Sequence, residues 1–172
     1  MKIRLFPSRR LLAALLMSVC ALTAAVQPAR AESNKFEALR SEQGVTSYIA
    51  LGQAMLKTAR SPLVFPMGKV DPSKLKHLTV VELEGNISTR SMAANIVRAV
   101  AKDLKLERIY ESTMPEASHI VFAHIPDGRN EYDAVVVWVS DDSEVDGKVS
   151  IVYCEGVIPQ GAFKLNLNLP GN

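Results

Sequence analysis

The sequence contains few of the residues that usually reveal a function. Among its 172 residues are only two cysteines, three histidines and one tryptophan. It has no Gly-x-Ser-x-Gly motif and no glycine-rich phosphate loop, which are the short motifs that mark many hydrolases and nucleotide-binding proteins. We therefore predict no cofactor and no catalytic residue, and the protein is not expected to be an enzyme.

Residues 1–31 have the pattern of a secretory signal peptide. An apolar run from Leu11 to about Val26 is followed by Ala29-Arg30-Ala31, and it is preceded by a basic segment that contains Lys2, Arg4, Arg9 and Arg10. The apolar run is too short to span a membrane. We therefore predict a periplasmic or extracellular protein with no transmembrane segment after cleavage. A lipoprotein anchored through Cys20 is disfavoured, because Val19 occupies a position where lipoprotein processing prefers a small residue.

Removal of residues 1–31 changes the charge and the cysteine content of the chain. The formal net charge of the full sequence is +2, but the removed segment holds only basic residues, so the rest is mildly acidic. An acidic domain gives no support for nucleic-acid binding. Cys154 is then the only cysteine, which excludes an internal disulfide and the zinc-finger spacings. Its apolar, mid-strand context predicts a buried side chain.

Residues 32–172 are predicted to form a single α+β domain. The segment Tyr132–Ile158 has two β-branched runs around an acidic stretch that ends in Asp146-Gly147, which is typical of a β-hairpin. Further strands are predicted at 45–49, 78–84, 108–114 and 118–125, and helices at 50–59 and 91–106. The second helix has an apolar stripe of Met92, Ile96, Val100 and Leu104. We expect a mainly antiparallel sheet of about four to six strands, with both helices packed on one face.

Several short segments resemble the DUF4252 family, a group of small exported bacterial proteins of uncharacterised function. The resemblance depends on Phe36, Gly44-Val45-Thr46, Tyr48-Ile49 and Ala54-Met55-Leu56, with further agreement at LKHLTVVELEG, Tyr110-Glu111 and VSIVYCEGVI. It covers most of residues 36–165, and the chain departs from it at Leu51-Gly52. Each of these motifs concerns packing or a turn. The resemblance therefore implies a fold, and for the segment after Pro159 it implies a short helix. The residue pattern of Ala162–Leu169 itself fits an edge strand or an ordered tail.

An apolar loop is predicted between Ser61 and Pro72. It contains Leu63, Val64, Phe65 and Met67, although loops normally run over the surface and are polar. One interpretation is that the loop folds back and covers an edge of the core. The other is that it forms an exposed patch that binds a partner or ligand, which makes these four residues the candidate binding site.

The ionisable residues give no clear metal site. His119 and His124 lie five positions apart on one predicted strand, so their side chains should leave opposite faces. The segment from Asp142 to Gly147 has oxygen ligands for calcium, but Tyr153 stands where the closing acid is needed. We predict no bound metal.

Three functions remain open on this basis. The first is a non-enzymatic accessory or interaction module of the cell envelope, which uses residues 63–67 or a sheet face to bind a protein partner. The second is a carrier with a small-ligand pocket between the sheet and the helices. The third and weakest is an unrecognised envelope hydrolase that uses His119 or His124.

Overall fold

The computed structural model describes residues 35–59, 62–65, 68–114, 117–141 and 147–163. The predicted signal peptide, with Cys20, lies outside these ranges, and so does the acidic segment 142–146. The described ranges contain eight strands, β1 (Val45–Gly52), β2 (Leu63–Phe65), β3 (Gly68–Val70), β4 (Leu75–Gly85), β5 (Glu107–Met114), β6 (Ala117–His124), β7 (Glu131–Asp141) and β8 (Gly147–Pro159). The helices are α1 (Gln53–Leu56) and α2 (Ile87–Asp103), and 3-10 turns cover Glu37–Ser41, Pro72–Lys74 and Gln160–Phe163.

Six of the strands form one antiparallel sheet in the order β1-β4-β8-β7-β6-β5. Strands β5, β6, β7 and β8 therefore lie side by side in the order of the chain, and β8 pairs with β4 on its other side. Helix α2 connects β4 to β5, which lies at the far edge, and on its way it packs against β4, β7 and β8. The α+β class and the antiparallel sheet agree with the prediction from the sequence.

The sheet buries a separate hydrophobic cluster on each face. Successive side chains of a strand point to opposite faces, and neighbours such as Val80 and Val81 accordingly belong to different clusters. We call the side that α2 covers the helix face; its cluster includes Val81, Val136, Trp138 and Ile151. The other side, the hairpin face, includes Val80, Val137, Val152 and Cys154, together with Leu56 of α1 and Val70 of β3.

Helix α2 begins earlier than predicted and presents a different stripe to the sheet. Asn86 caps it, since its side-chain oxygen accepts hydrogen bonds from the backbone N–H groups of Ser88 and Thr89 at 3.0 and 3.1 Å. The buried residues are Ala93, Val97, Val100 and Ala101. Three members of the predicted stripe, Met92, Ile96 and Leu104, are only partly buried. The two small alanines allow the helix to approach the sheet closely, and this rotates the contact away from the larger side chains.

The region of α1 also differs from the prediction. Residues Ala50, Leu51 and Gly52 continue β1 and pair with Thr79, Leu78 and His77 of β4, so that only Gln53–Leu56 is helical. Pairing with a distant strand has overridden the local helical pattern. The prediction that both helices pack on one face is not confirmed, because α1 buries Leu56 in the hairpin-face cluster and α2 packs on the helix face. Within the described residues, no helix has the length and apolarity needed to cross a membrane.

Candidate functional site

A groove of about 440 Å³ lies on the helix face, between α2 and the outer strand β6. It exists because α2 packs on β4, β7 and β8 and leaves Ile120 and Phe122 of β6 only half-buried. The described residues that line it come from α2 (Ile87, Arg90, Ser91, Ala94, Val97 and Arg98) and from the sheet (Ser118, Ile120, Phe122, Trp138 and Ser140). Its size falls within the range of small-molecule sites, roughly 300–1,000 Å³.

The floor of the groove is apolar and contains the single tryptophan of the sequence. Ile120 is directly opposite Trp138 in the β6–β7 register, and Phe122 follows two residues later on the same face. The ring of Trp138 is almost fully covered, with 6% of the residue exposed. From the helix side, the small side chain of Ala94 leaves space above this floor. The groove can therefore accept an aliphatic or aromatic group.

The rim of the groove is basic and hydroxylic. Arg90 and Arg98 lie on one edge of α2 with Ala94 midway between them, because residues four apart share a helix edge. At 1.5 Å per residue, the two arginines are separated by about 12 Å along the helix axis. Ser118 and Ser140 face each other across the β6–β7 register at one end of the groove. These groups favour the negatively charged part of a ligand.

The two arginines have different surroundings. Arg98 is exposed and donates a hydrogen bond from Nη1 to the side-chain oxygen of Asn95 at 3.1 Å. Arg90 extends past the start of α2 towards the β7–β8 hairpin, where a Cβ atom on Gly147 would collide with its guanidinium group. Gly147 is therefore the residue that gives Arg90 room at this position. Arg98, on the open side, is the cation that an incoming ligand can meet first.

The predicted binding residues lie in a different place, above the hairpin face. Leu63, Val64 and Phe65 form β2, and they pair with Val70, Lys69 and Gly68 of β3. This part of the predicted loop is therefore a small β-hairpin, anchored by Val70, which is 1% exposed. Met67 and the side chains of residues 63–65 lie outside the described part of the chain. Their role in binding stays a prediction.

The histidines do not form a joint site. His119 is paired with Val139 of the hairpin face and His124 with Ala134 of the helix face, which confirms that their side chains leave opposite faces. Burial lowers the pKa of His119. The Nδ1 atom of His124 is 2.7 Å from a carboxylate oxygen of Asp133, but both side chains are open to solvent, with 39% and 49% exposed. This pair lies outside the groove, and a hydrolase site gains no support from it.

Cys154 is buried, as its sequence context predicts. It is 1% exposed within the hairpin-face cluster, and burial raises the pKa of its thiol. A thiol that stays protonated in an apolar interior is a weak nucleophile and a poor metal ligand.

Among the described residues, no three His, Cys, Asp or Glu side chains are placed to hold a metal ion. This result does not test the candidate calcium segment, because five of its residues, 142–146, lie outside the described ranges. The part that is described, Gly147, is the first residue of β8.

The residues of the groove were not predicted from the sequence, although a pocket between sheet and helices was among the open alternatives. The available signal was the spacing of Arg90, Ala94 and Arg98, which places two cations on either side of a small residue along one helix edge. This spacing indicates a groove only when β6 is known to lie beside this edge of the helix. The position of β6 is known from the strand order.

Comparisons with known proteins leave the chain without an assigned family. It matches no protein-family model, no curated protein and no solved structure. The resemblance to DUF4252 accordingly stays an expectation from short motifs.

Proposed function

We propose that the protein is a non-enzymatic binding module of the cell envelope that carries a small amphipathic anion in the α2–β6 groove. The single observation that supports this most is the combination of an apolar floor with two arginines on one rim. An apolar floor favours a hydrocarbon or aromatic body, and guanidinium groups favour a carboxylate or phosphate head. The export signal predicted in residues 1–31 supports an activity outside the cytoplasm.

The groove is better suited to binding than to catalysis. Its described lining has three serines but no histidine and no carboxylate, and a serine needs an adjacent base to become a nucleophile. Of the alternatives that the sequence leaves open, the carrier is thus the one that the geometry supports best.

The experiment uses Trp138 as its reporter, since this residue lies in the floor and is the only tryptophan of the protein. Tryptophan emission is followed while decanoate is added, and a parallel titration uses decanol, which has the same chain length and no charge. We expect saturable changes, with decanoate bound at least tenfold more tightly. A charge-assisted hydrogen bond contributes about 1.5–3 kcal/mol, and about 1.4 kcal/mol is a factor of ten.

Two variants with matched controls locate the site. Ala94→Leu should fill the groove and weaken decanoate binding at least tenfold, while Ala99→Leu, at an exposed position of the same helix, should leave it unchanged. Arg98→Gln should remove most of the preference for decanoate over decanol, and the exposed Lys102→Gln should not. Equal binding by wild type and Ala94→Leu would show that the ligand binds elsewhere.

A protein partner is the second candidate, favoured by the exposed apolar side chains. Ile87, Ile125 and Val157 are 75%, 43% and 40% exposed, and residues 63–67 add the apolar segment noted in the sequence. The tagged protein is captured from its envelope fraction as wild type, as Leu63→Ser/Phe65→Ser, and as Ile125→Ser/Val157→Ser, which tests the other exposed apolar side chains. A stoichiometric partner lost only with the first pair would assign binding to the β2–β3 hairpin. Recovery of no partner with any of the three would contradict this candidate.

A further inference from the structure

The six-stranded sheet has two edge strands, β1 and β5, and they differ in chemistry. An edge strand exposes a row of unpaired backbone N–H and C=O groups, which can pair with a strand of another chain. Proteins protect such edges with charged side chains, prolines and irregular backbone. A comparison of the two edges therefore shows where the sheet is open to extension.

Strand β5 carries this protection. It contains Glu107, Arg108 and Glu111, and Arg108 forms an ion pair with Glu111 at 2.7 Å. Its pairing with β6 is also irregular between Arg108 and Tyr110. A second strand placed beside β5 would have to desolvate these charges.

Strand β1 lacks charged residues and proline over its whole sequence, VTSYIALG. Its register with β4 is regular from Ser47 to Gly52, and the one irregularity is at its start, between Val45 and Ser47. Thr46 and Ala50 are exposed and Ile49 is half-buried. This edge is therefore regularly paired with β4 and uncharged over six consecutive residues.

One balanced pair of charges, Glu37 and Arg40, lies on one side of this edge. On the helix face, the hydroxyl of Tyr48 donates to Glu37 at 3.0 Å, and the guanidinium of Arg40 lies 5.9 Å from the centre of the Tyr48 ring. Arg40 and Glu37 are themselves paired at 3.1 Å. This pair adds no net charge beside β1.

We propose that β1 pairs with β1 of a second copy of this chain and joins the two sheets into one of twelve strands. An antiparallel pair of identical strands is related by a two-fold axis, here close to Tyr48 and Ile49, so each copy offers the same surface to the other. The axis is perpendicular to the sheet and keeps like faces together. Ile49 and Leu51 then continue the apolar hairpin face across the joint.

A second copy fits this edge better than an unrelated extended segment. Pairing of identical uncharged strands places no like charges opposite each other. The two strands also have the same length and sequence, so no separate partner strand is required. The contact involves one strand from each copy and is smaller than a standard interface. We therefore expect a dimer with a dissociation constant on the order of micromolar. This inference is independent of the ligand proposed for the groove.

The test measures mass as a function of concentration by sedimentation of the exported protein. Wild type should change from one copy to two over the micromolar range. Thr46→Lys/Ala50→Lys adds two exposed positive charges to β1 and should weaken the dimer at least tenfold. Its control, Glu111→Gln/Thr113→Lys, changes the charge of β5 by the same amount at exposed positions and should have no effect. A single-copy mass up to about 1 mM, or a dimer insensitive to the β1 pair, would overturn the proposal.

Hydrogen exchange of wild type gives a second test that depends on no substitution. Backbone amides of β1 should exchange more slowly at high protein concentration, while those of β5 should not change. A dimer that leaves β1 exchange unaltered would use another surface and would contradict the inference. The inference would also be contradicted if the protein stayed a monomer and the β1 amides exchanged more slowly only after an unrelated extended peptide was added.

Discussion

The two faces of the sheet are covered in different ways, and the difference explains where the groove lies. The 17-residue helix α2 covers most of the helix face, and the 3-10 turn at Glu37–Ser41 covers the part near β1 with Phe36 and Leu39. The hairpin face is covered by α1, the β2–β3 hairpin and the 3-10 turns at Pro72–Lys74 and Gln160–Phe163. A helix is about 10 Å wide, whereas six strands spaced about 4.8 Å apart form a sheet about 24 Å wide. A single helix leaves an outer strand open, but several short pieces can be spread over the width.

The largest effects should come from truncating the core beneath each cover. Leu78→Ala on the hairpin face and Ile151→Ala on the helix face each remove a side chain that is 1% exposed. We expect both to lower the free energy of unfolding by about 2–5 kcal/mol, measured by chemical denaturation. The control Ile87→Ala, at a largely exposed position, should change it by less than about 0.5 kcal/mol.

This pair tests whether the two covers are equally rigid. If Leu78→Ala costs far less than Ile151→Ala, the short pieces of the hairpin face collapse into the space that the leucine leaves. Equal costs would show that both covers hold their positions.

Gly156→Ala should weaken the pairing between the start of β4 and the end of β8. Gly156 has φ +142°, and a Cβ there would lie 2.5 Å from the carbonyl oxygen of Lys74 and 2.7 Å from the Cα of Leu75. Because both neighbours are backbone atoms, we expect a loss of roughly 1–3 kcal/mol. Gly52→Ala is the control, since a Cβ at Gly52 meets no atom within 4 Å. If thermal melting shows equal stability for the two variants, the contact at Gly156 is not restrictive.

Asn86→Ala should weaken the helix face alone. It removes the acceptor for the N–H groups of Ser88 and Thr89, which should cost about 1 kcal/mol. Hydrogen exchange should become faster in the first turn of α2 and stay unchanged in β3. Asn86→Asp, which keeps an acceptor oxygen, should restore most of the protection. Faster exchange over both faces would show that the two covers unfold together.

The smallest effect concerns Glu82, and it depends on pH. Burial raises the pKa of Glu82, and the nearby Lys148 offsets this in part. The folded pKa is then above the unfolded value of about 4.3, so the carboxyl group favours folding below that value and this contribution is lost as pH rises through the folded pKa. Glu82→Gln should therefore gain stability relative to wild type at pH 7 and lose that gain near pH 3.

The control for this prediction is Glu84→Gln on the same strand, where the side chain is exposed. Denaturation curves at several pH values provide the measurement. A difference between Glu82→Gln and wild type that does not vary with pH would contradict the prediction.

Features that depend on local pattern could be predicted from the sequence. The β7–β8 hairpin follows from two β-branched runs around a turn, and α2 follows from apolar residues repeated every four positions. The start of α2 was missed because the helix was expected to begin at residue 91, although Asn86 is of a type that strongly favours the capping position. The rotation of its buried stripe was missed because only contact with the sheet selects Ala93 and Ala101.

Features that depend on distant pairing could not be predicted. Residues 50–52 have a helical pattern, and they are a strand because β4, which lies more than 20 residues further along, pairs with them. The groove requires β6 to lie beside the Arg90 edge of α2, and this follows from the position of β8 between β4 and β7. Local propensity carries no information on either pairing.

The position of β8 also has a consequence for folding. This strand lies at the centre of the sheet, between β4 and β7, yet among the sheet's described strands it comes last along the chain, at Gly147–Pro159. Strands β1 and β4 cannot join the rest of the sheet until β8 has formed, because β4 pairs with β8, for example at Val80 and Val152. This pairing closes a long loop, which costs conformational entropy. We therefore expect β5–β8 to form first and β4 with β1 to dock later. If the protein is exported as residues 1–31 predict, completion of the sheet would wait until β8 has crossed the membrane.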